Sequence, residues 1–380
     1  MHNSKKLPAN LICLSHLRWD FVYQRPQHLL SRFAKDTRVY FYEEPVFDAE
    51  NGSYLSISDR DGKLKVVVPH LQPGLNEEEI VNAQTQIFDE FIATVNLAET
   101  LFWYYTPMAL KFTDKHTPLV TCYDCMDELS AFWFAHSEIV TLEKQLLAKA
   151  DVVFTGGQTL YEAKKQYHGN IFACPSSIDK KHFATAKTIA EAPDQVAING
   201  PKIGFYGVID ERFDYQLIEE IATMRPDWQL VLIGPIVKID QNLLPKNPNI
   251  HYIGQRSYKE LPSYLAGWDV AILPFLLNDS TKFISPTKTP EYLASNTPVV
   301  STPIRDVINP YGIQKLVHIA SDSDEFIAAI ETELAVEDRT DWERRTTEFL
   351  KDISWDKTYS KMAEQIQRAI SNADKISAAS

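Results

Sequence analysis

The stretch Ser285-Pro-Thr-Lys-Thr-Pro-Glu-Tyr-Leu-Ala-Ser-Asn-Thr-Pro-Val-Val300 joins a helix start, a helix stop and an apolar strand in one short segment. Thr289 suits an N-cap, Pro290 fits the first helical position, and Glu291 lies in the first turn. Asn296 tolerates the left-handed conformation that ends a helix, and Pro298–Ser301 then reads as a strand. Ser285, Thr287 and Lys288 stand ahead of the helix, so hydroxyls, an ammonium and free N–H groups converge where an anion would sit. Glu291, one turn from Lys288, can accept hydrogen bonds from vicinal hydroxyls such as a ribose diol. From spacing alone, a capped surface helix explains the segment equally well.

The same helix–strand alternation fills the chain and predicts parallel sheets wrapped by helices. Strands are expected at Leu11–Ser15, Val39–Tyr42, Lys65–Pro69, Leu101–Tyr105, Leu119–Tyr123 and Asp151–Thr155. Helices are expected over Tyr23–Phe33, Glu77–Val95, Ile139–Lys149 and Thr159–Tyr167. After a polar, proline-bearing segment near Ala184–Gly200, a second series begins at Lys202–Tyr206. It continues through the helix Tyr215–Met224 and the strands Trp228–Ile233, Ile250–Ile253, Val270–Pro274, Pro298–Ser301 and Val317–Ala320. The helix Trp355–Ser371 and a frayed Ser/Ala tail close the chain. The expected division is 1–185, 186–354 and a terminal helix over 355–380. Open α/β sheets bind ligands at the C-terminal ends of their strands, which favours an enzyme of small molecules.

Composition narrows the classes further. The 380 residues suit two or three domains at roughly 100–200 residues each. A formal charge of −13 argues against general nucleic-acid binding, because phosphate backbones repel an acidic surface. No run approaches the roughly 18–20 apolar residues of a membrane span. The apolar run after Lys5 and Lys6 is too short for a signal-peptide core, so a cytoplasmic protein is expected. Cys122 and Cys125 form a lone C-x-x-C with no second ligand pair, which favours reduced, structural cysteines over a zinc site or a disulfide.

The Ser285–Val300 segment resembles the donor-binding segment of family 4 glycosyltransferases of the GT-B fold, commonly S-P-x-K-x-x-E-x-x-A-x-G-x-P-V-V. Other segments follow in that family's order. Ala173-Cys-Pro-Ser-Ser-Ile-Asp-Lys-Lys-His-Phe183 is similar to its domain-crossing segment, and Ile203-Gly-Phe-Tyr-Gly207 to the strand that opens its donor domain. His251–Pro262 with Ala266–Pro274 resembles the segment around the nucleotide base, and Ser354-Trp-Asp356 the start of the last helix, which crosses back to the N-terminal domain. One such motif is weak; their shared order over most of the chain is specific.

The resemblance implies an α/β protein of GT-B architecture, two Rossmann-like α/β/α domains facing a central cleft, with the acceptor on the N-terminal domain and the donor on the C-terminal one. Glu291 would hold the ribose hydroxyls and Lys288 the diphosphate, with Ser285, Thr287 and Thr289 around it. Gly207 would open the phosphate loop, and Arg212 is its available cation, although a plain surface arginine fits as well. Arg256 and Tyr258 would lie by the base. The family often carries a second Glu ahead of the ribose-binding one. Here that position is Phe283, so the loop around Asn278 would meet the sugar instead.

On the acceptor side, His16–His28 follows the first strand. Arg18, Trp19 and Arg25 offer an aromatic face and guanidinium groups to a carbohydrate, the plainer alternative being inward packing. Its Gln-Arg-Pro-Gln-His-Leu-Leu wording resembles a bacterial subset linked to surface polysaccharides. Asp124, Asp127 and Glu128 cluster at a strand end, where they would bind an acceptor hydroxyl or act as a base, and His136 lies nearby. Paired carboxylates also suit glycoside hydrolysis, against which the resemblance weighs.

The expected activity is a retaining, metal-independent transfer from a UDP- or GDP-linked sugar to a glycan or lipid-linked acceptor, without a resident cofactor. Asp127, Lys288 and Arg212 would be its catalytic residues. Peripheral contact with the inner face of a membrane is the matching location. A nucleotide-sugar epimerase or hydrolase is the nearest rival, and a silent scaffold of an assembly complex the other. A dinucleotide-dependent dehydrogenase is disfavoured, since neither Gly156-Gly157 nor Gly204-x-x-Gly207 gives G-x-G-x-x-G.

Overall fold

The computed structural model describes residues 7–379, of which 373–379 are described as helical backbone only. Lys5, Lys6 and the terminal Ser380 lie outside the described residues. The chain divides into two units, Met1–Pro175 with Trp355–Ser380, and Ser176–Ser354.

The first unit is built on an eight-stranded sheet. Its strands are β1 (Asn10–Leu14), β2 (Arg38–Tyr42), β3 (Tyr54–Asp59), β4 (Leu64–His70), β5 (Thr100–Tyr104), β6 (Val120–Cys125), β7 (Val152–Thr155) and β8 (Ile171–Ala173). They run in the order β3-β4-β2-β1-β5-β6-β7-β8, parallel throughout except where β3 pairs antiparallel with β4. Every residue of β1, β5, β6 and β7 is buried, the mark of strands covered on both faces. The periodicity misses β3 and β8 for opposite reasons. β3 is a largely exposed edge strand without an apolar run, and β8 is only three residues long.

The C-terminal helix belongs to this unit and extends to Ala379, past the expected Ser371 and through the tail expected to fray. Trp355, Met362 and Ile366 are fully buried in the core with Phe33 and Trp103. Trp355 stacks on His28 at 4.6 Å between ring centroids, and Asp356 pairs with Arg32 at 2.7 Å.

The second unit holds a six-stranded parallel sheet of β9 (Lys202–Tyr206), β10 (Gln229–Ile233), β11 (Ile250–Gly254), β12 (Val270–Leu273), β13 (Val299–Ser301) and β14 (His318–Ile319). The order is β11-β10-β9-β12-β13-β14. Helices cover it with apolar stripes at helical spacing, as in Tyr215–Met224, which buries Leu217, Ile218, Ile221 and Ala222. Ile178 and Phe183 pack into this core, so the division falls at Pro175/Ser176, upstream of the expected 185/186.

Candidate active site

The helix from Ser285–Val300 spans Lys288–Ala294, with Thr287 rather than Thr289 at the N-cap position. Pro290 therefore sits within the first turn instead of opening the helix. Asn296 takes φ +71°, the left-handed conformation expected at the helix end.

Two backbone bends floor the site. Gly207 ends β9 with φ +148° and Gly234 ends β10 with φ +143°. The Gly207 N–H donates to the Ile233 carbonyl at 2.8 Å, and the Gly234 N–H donates to the Gly254 carbonyl at 2.9 Å. A Cβ on Gly207 would fall 2.7 Å from Lys288 Nζ, so the ammonium lies directly over bare backbone. Lys288 Nζ also stands 5.8 Å from the centre of the Phe205 ring.

Glu291, one turn further on, is 4% exposed. The Tyr206 hydroxyl donates to its Oε2 at 2.6 Å. Tyr206 is held in turn by its own main chain, whose N–H donates to the Tyr292 hydroxyl at 3.1 Å. Burial pushes the Glu291 carboxyl up to about 7, while the Tyr206 hydrogen bond and the Lys288 charge oppose the rise.

This shift has a consequence for stability. An unfolded glutamate ionises near 4.3, whereas folded Glu291 keeps its proton to about 7. Between those values the folded state binds more protons, so Glu291 lowers stability as pH rises through the window, and the loss is complete above it. Glu291→Gln, which keeps an oxygen for Tyr206, is expected to be more stable than the wild type at pH 8 by on the order of 1–3 kcal/mol. That difference should vanish below pH 4.5. Denaturant midpoints at pH 4.5, 6 and 8 check this, and a difference independent of pH would contradict it.

The remaining donor-side residues divide into open and committed. Ser285 and Thr287 are half-buried just ahead of the helix. Thr289 is fully buried, and among the described residues its hydroxyl has no hydrogen-bond partner. Arg212 forks onto its neighbour Asp210 at 3.0 and 2.7 Å, which fixes the guanidinium in the loop after β9. Arg256 turns onto the Tyr264 hydroxyl at 2.6 Å and Asp194 at 2.7 Å. Tyr258 stacks on His182 at 4.4 Å. Asn278 Oδ1 accepts from the N–H groups of Ser280 and Thr281 and from the Ser280 hydroxyl, so its side chain shapes its own loop.

In the first unit most acceptor-side candidates are engaged internally. Arg25 and Asp124 form a buried bidentate pair at 3.0 and 2.8 Å, with the third guanidinium nitrogen of Arg25 donating to the Cys174 carbonyl at 2.7 Å. At 3% and 0% exposure neither offers a group to a ligand. Arg18 bonds Glu43 and the carbonyls of Glu44 and Pro45, and the Trp19 ring packs edge-on to Phe41 at 5.1 Å. Glu128 pairs with Lys164 at 2.6 Å, and Lys164 also reaches Glu143. Asp127 is half-buried in the segment after β6.

His136 meets Glu77 at 2.9 Å in a cluster with Glu138 whose ligand atoms lie within 4.8 Å of one another. The Lys111 ammonium already bonds both carboxylates, so the cluster reads as a surface ion network. All four cysteines are free and buried, and burial pushes their thiols up. Cys122 and Cys125 point to opposite faces of β6, which separates them as ligands.

Residue patterning assigns no role to Tyr206, Tyr292 or Gly234, which build the site with Glu291 and Lys288. Tyr206 is visible in Ile203–Gly207, but nothing in its spacing pairs it with Glu291.

Residues 200–335 match the family model for glycosyl transferases group 1, in keeping with the motif resemblance. A Bacillus subtilis (strain 168) protein named as a proposed teichuronic acid biosynthesis glycosyltransferase, TuaH, is 25% identical over 229 residues. That alignment covers 55% of this chain and 57% of the relative, so the match spans little more than half of each. Among solved structures, the E. coli trehalose-6-phosphate protein bound with UDP-2-fluoro glucose has a TM-score of 0.69 at 12% identity, covering 94% of this chain and 99% of that one. Sucrose-phosphate synthase from Thermosynechococcus elongatus has a TM-score of 0.67 at 16% identity, over 98% and 100%. Anabaena HepE in complex with UDP and glucose has a TM-score of 0.62 at 15% identity, over 94% and 98%. The fold is that of the GT-B proteins.

Proposed function

We propose that the chain is a glycosyltransferase moving a sugar from a UDP- or GDP-linked donor to a carbohydrate or lipid-linked glycan acceptor in polysaccharide biosynthesis. One observation carries the reading: Lys288 lies over the bare Gly207 backbone, and one turn on stands the buried Glu291 carboxylate. These meet the two unlike ends of a nucleoside diphosphate, an anionic diphosphate and a neutral vicinal diol. The family match over 200–335 and the UDP-bearing structural neighbours support it.

In the proposed reaction the bond from the anomeric carbon to the diphosphate oxygen breaks. The acceptor oxygen bonds to that carbon and passes its proton to the Asp127 carboxylate, and the nucleoside diphosphate leaves with added negative charge. Lys288 counters that charge, with Arg212, fixed by Asp210, as the second cation. Such preset cations suit a metal-independent reaction, with retention as in the family resembled. Asp127 is the proposed carboxylate for the acceptor hydroxyl. A lipid-linked acceptor would be met by peripheral contact at the inner face of a membrane; no helix among the described residues is long and apolar enough to cross one.

Calorimetric titration with UDP and GDP tests the reading. Glu291→Ala is expected to weaken the preferred nucleotide about tenfold to a hundredfold, the range for a hydrogen bond to a charged group. Unchanged affinity for both would overturn the assignment.

A further inference from the structure

Resting on the nucleotide reading above, we propose that Tyr206 is a positioning residue for the donor diol: its hydroxyl occupies Glu291 Oε2 and so presents Oε1 as the ligand's acceptor. The two carboxylate oxygens are not equivalent. Oε2 takes the Tyr206 hydroxyl at 2.6 Å, whereas among the described residues no hydrogen bond reaches Oε1, and Oε1 is not among the solvent-sealed unpartnered atoms. A carboxylate 4% exposed with one oxygen tied and the other reachable has a single direction in which to accept.

Tyr206 itself is rigidly set. Its main-chain N–H donates to the Tyr292 hydroxyl, and its ring meets Tyr292 edge-on at 4.9 Å. It also lies parallel to Phe183 at 6.3 Å and tilted to Trp268 at 6.1 Å. A residue so enclosed fixes the carboxylate at little entropic cost when a ligand binds.

The arrangement makes nucleotide binding depend on pH. The titratable and charged groups around the carboxyl are Tyr206 from β9 and Lys288 and Tyr292 from its own helix; Tyr258 from the segment after β11, on which His182 stacks, acts on the Tyr206 hydroxyl. Of these, Tyr206 and Lys288 favour the ionised form against burial. A diol donates best to the ionised carboxylate, so affinity falls as pH drops through the Glu291 midpoint. Without the Tyr206 hydroxyl that midpoint moves upward.

The test titrates the full chain with UDP and GDP between pH 5.5 and 8.5, as wild type, Tyr206→Phe, Glu291→Gln and Glu291→Ala. Glu291→Gln supplies the profile due to the nucleotide's own phosphate. Tyr206→Phe keeps the ring and its packing but leaves Glu291 Oε2 without its donor, so its melting temperature should fall by several degrees while the fold persists. Its affinity at pH 7 should fall about tenfold, with the Glu291-dependent midpoint displaced to higher pH, a displacement that a purely structural role would not produce. Wild-type affinity and midpoint in Tyr206→Phe, beside loss of binding in Glu291→Ala, would overturn the Tyr206 role alone. Absence of UDP and GDP binding in the wild type would overturn the nucleotide reading, and this inference with it.

Discussion

Asp124→Ala is expected to destabilise the protein by about 3–5 kcal/mol, the cost of leaving a buried charge without its partner. The Arg25 and Asp124 side chains are 3% and 0% exposed, so water does not replace the lost carboxylate. What remains for the guanidinium is the Cys174 carbonyl. Burial pushes the Asp124 carboxyl up from its ordinary value, and Arg25, by charge and hydrogen bond, opposes it. Each ion thus depends on the other. Replacing both with apolar residues of similar volume, as in Arg25→Met with Asp124→Leu, should recover much of the loss. Chemical denaturation of the single and double variants checks this. A single variant within 1 kcal/mol of the wild type would return Asp124 to the acceptor side, where its loss would appear in turnover instead.

The second large effect is expected at Gly234. A Cβ there would lie 2.7 Å from the Gly207 carbonyl carbon and closer still to its oxygen. The obstacle is backbone, fixed because the Gly207 N–H is bonded to the Ile233 carbonyl. The φ of +143° is itself a conformation that side chains avoid. Clash and strain together should make Gly234→Ala cost about 3 kcal/mol or more. That corresponds to a drop in melting temperature of about 6–12 °C at 2–4 °C per kcal/mol for a domain of this size. The displaced Gly207 would carry the seat of Lys288 with it, so UDP or GDP affinity should fall in the same variant. A melting temperature within 2 °C of wild type would contradict the close approach of the two bends.

Most of the architecture is legible in local patterning because its cause is local. Continuous apolar runs such as Thr100–Tyr104 follow from burial on both faces, and stripes such as Leu217, Ile218 and Ile221 follow from the helical repeat. Asn296 announces its left-handed turn by residue type. Where burial is partial or the element very short, as in β3 and β8, the signal disappears.

The candidate site divides along the same line. Lys288 and Glu291 are one helical turn apart, so their companionship is written in their spacing. The partner of each charged group is not. Arg25 and Asp124 look like two candidates for an acceptor, and strand order, with β1 separated from β6 by β5 alone, turns them into one buried ion pair. Tyr206 stands at the end of β9, far along the chain from the helix that follows β12, yet β9 and β12 are neighbours in the sheet. That adjacency brings its hydroxyl to Glu291. Local periodicity reports which face a residue takes and which conformation it prefers. Which charges meet is a property of the sheet's strand order, and desolvation on burial then sets what those charges can do.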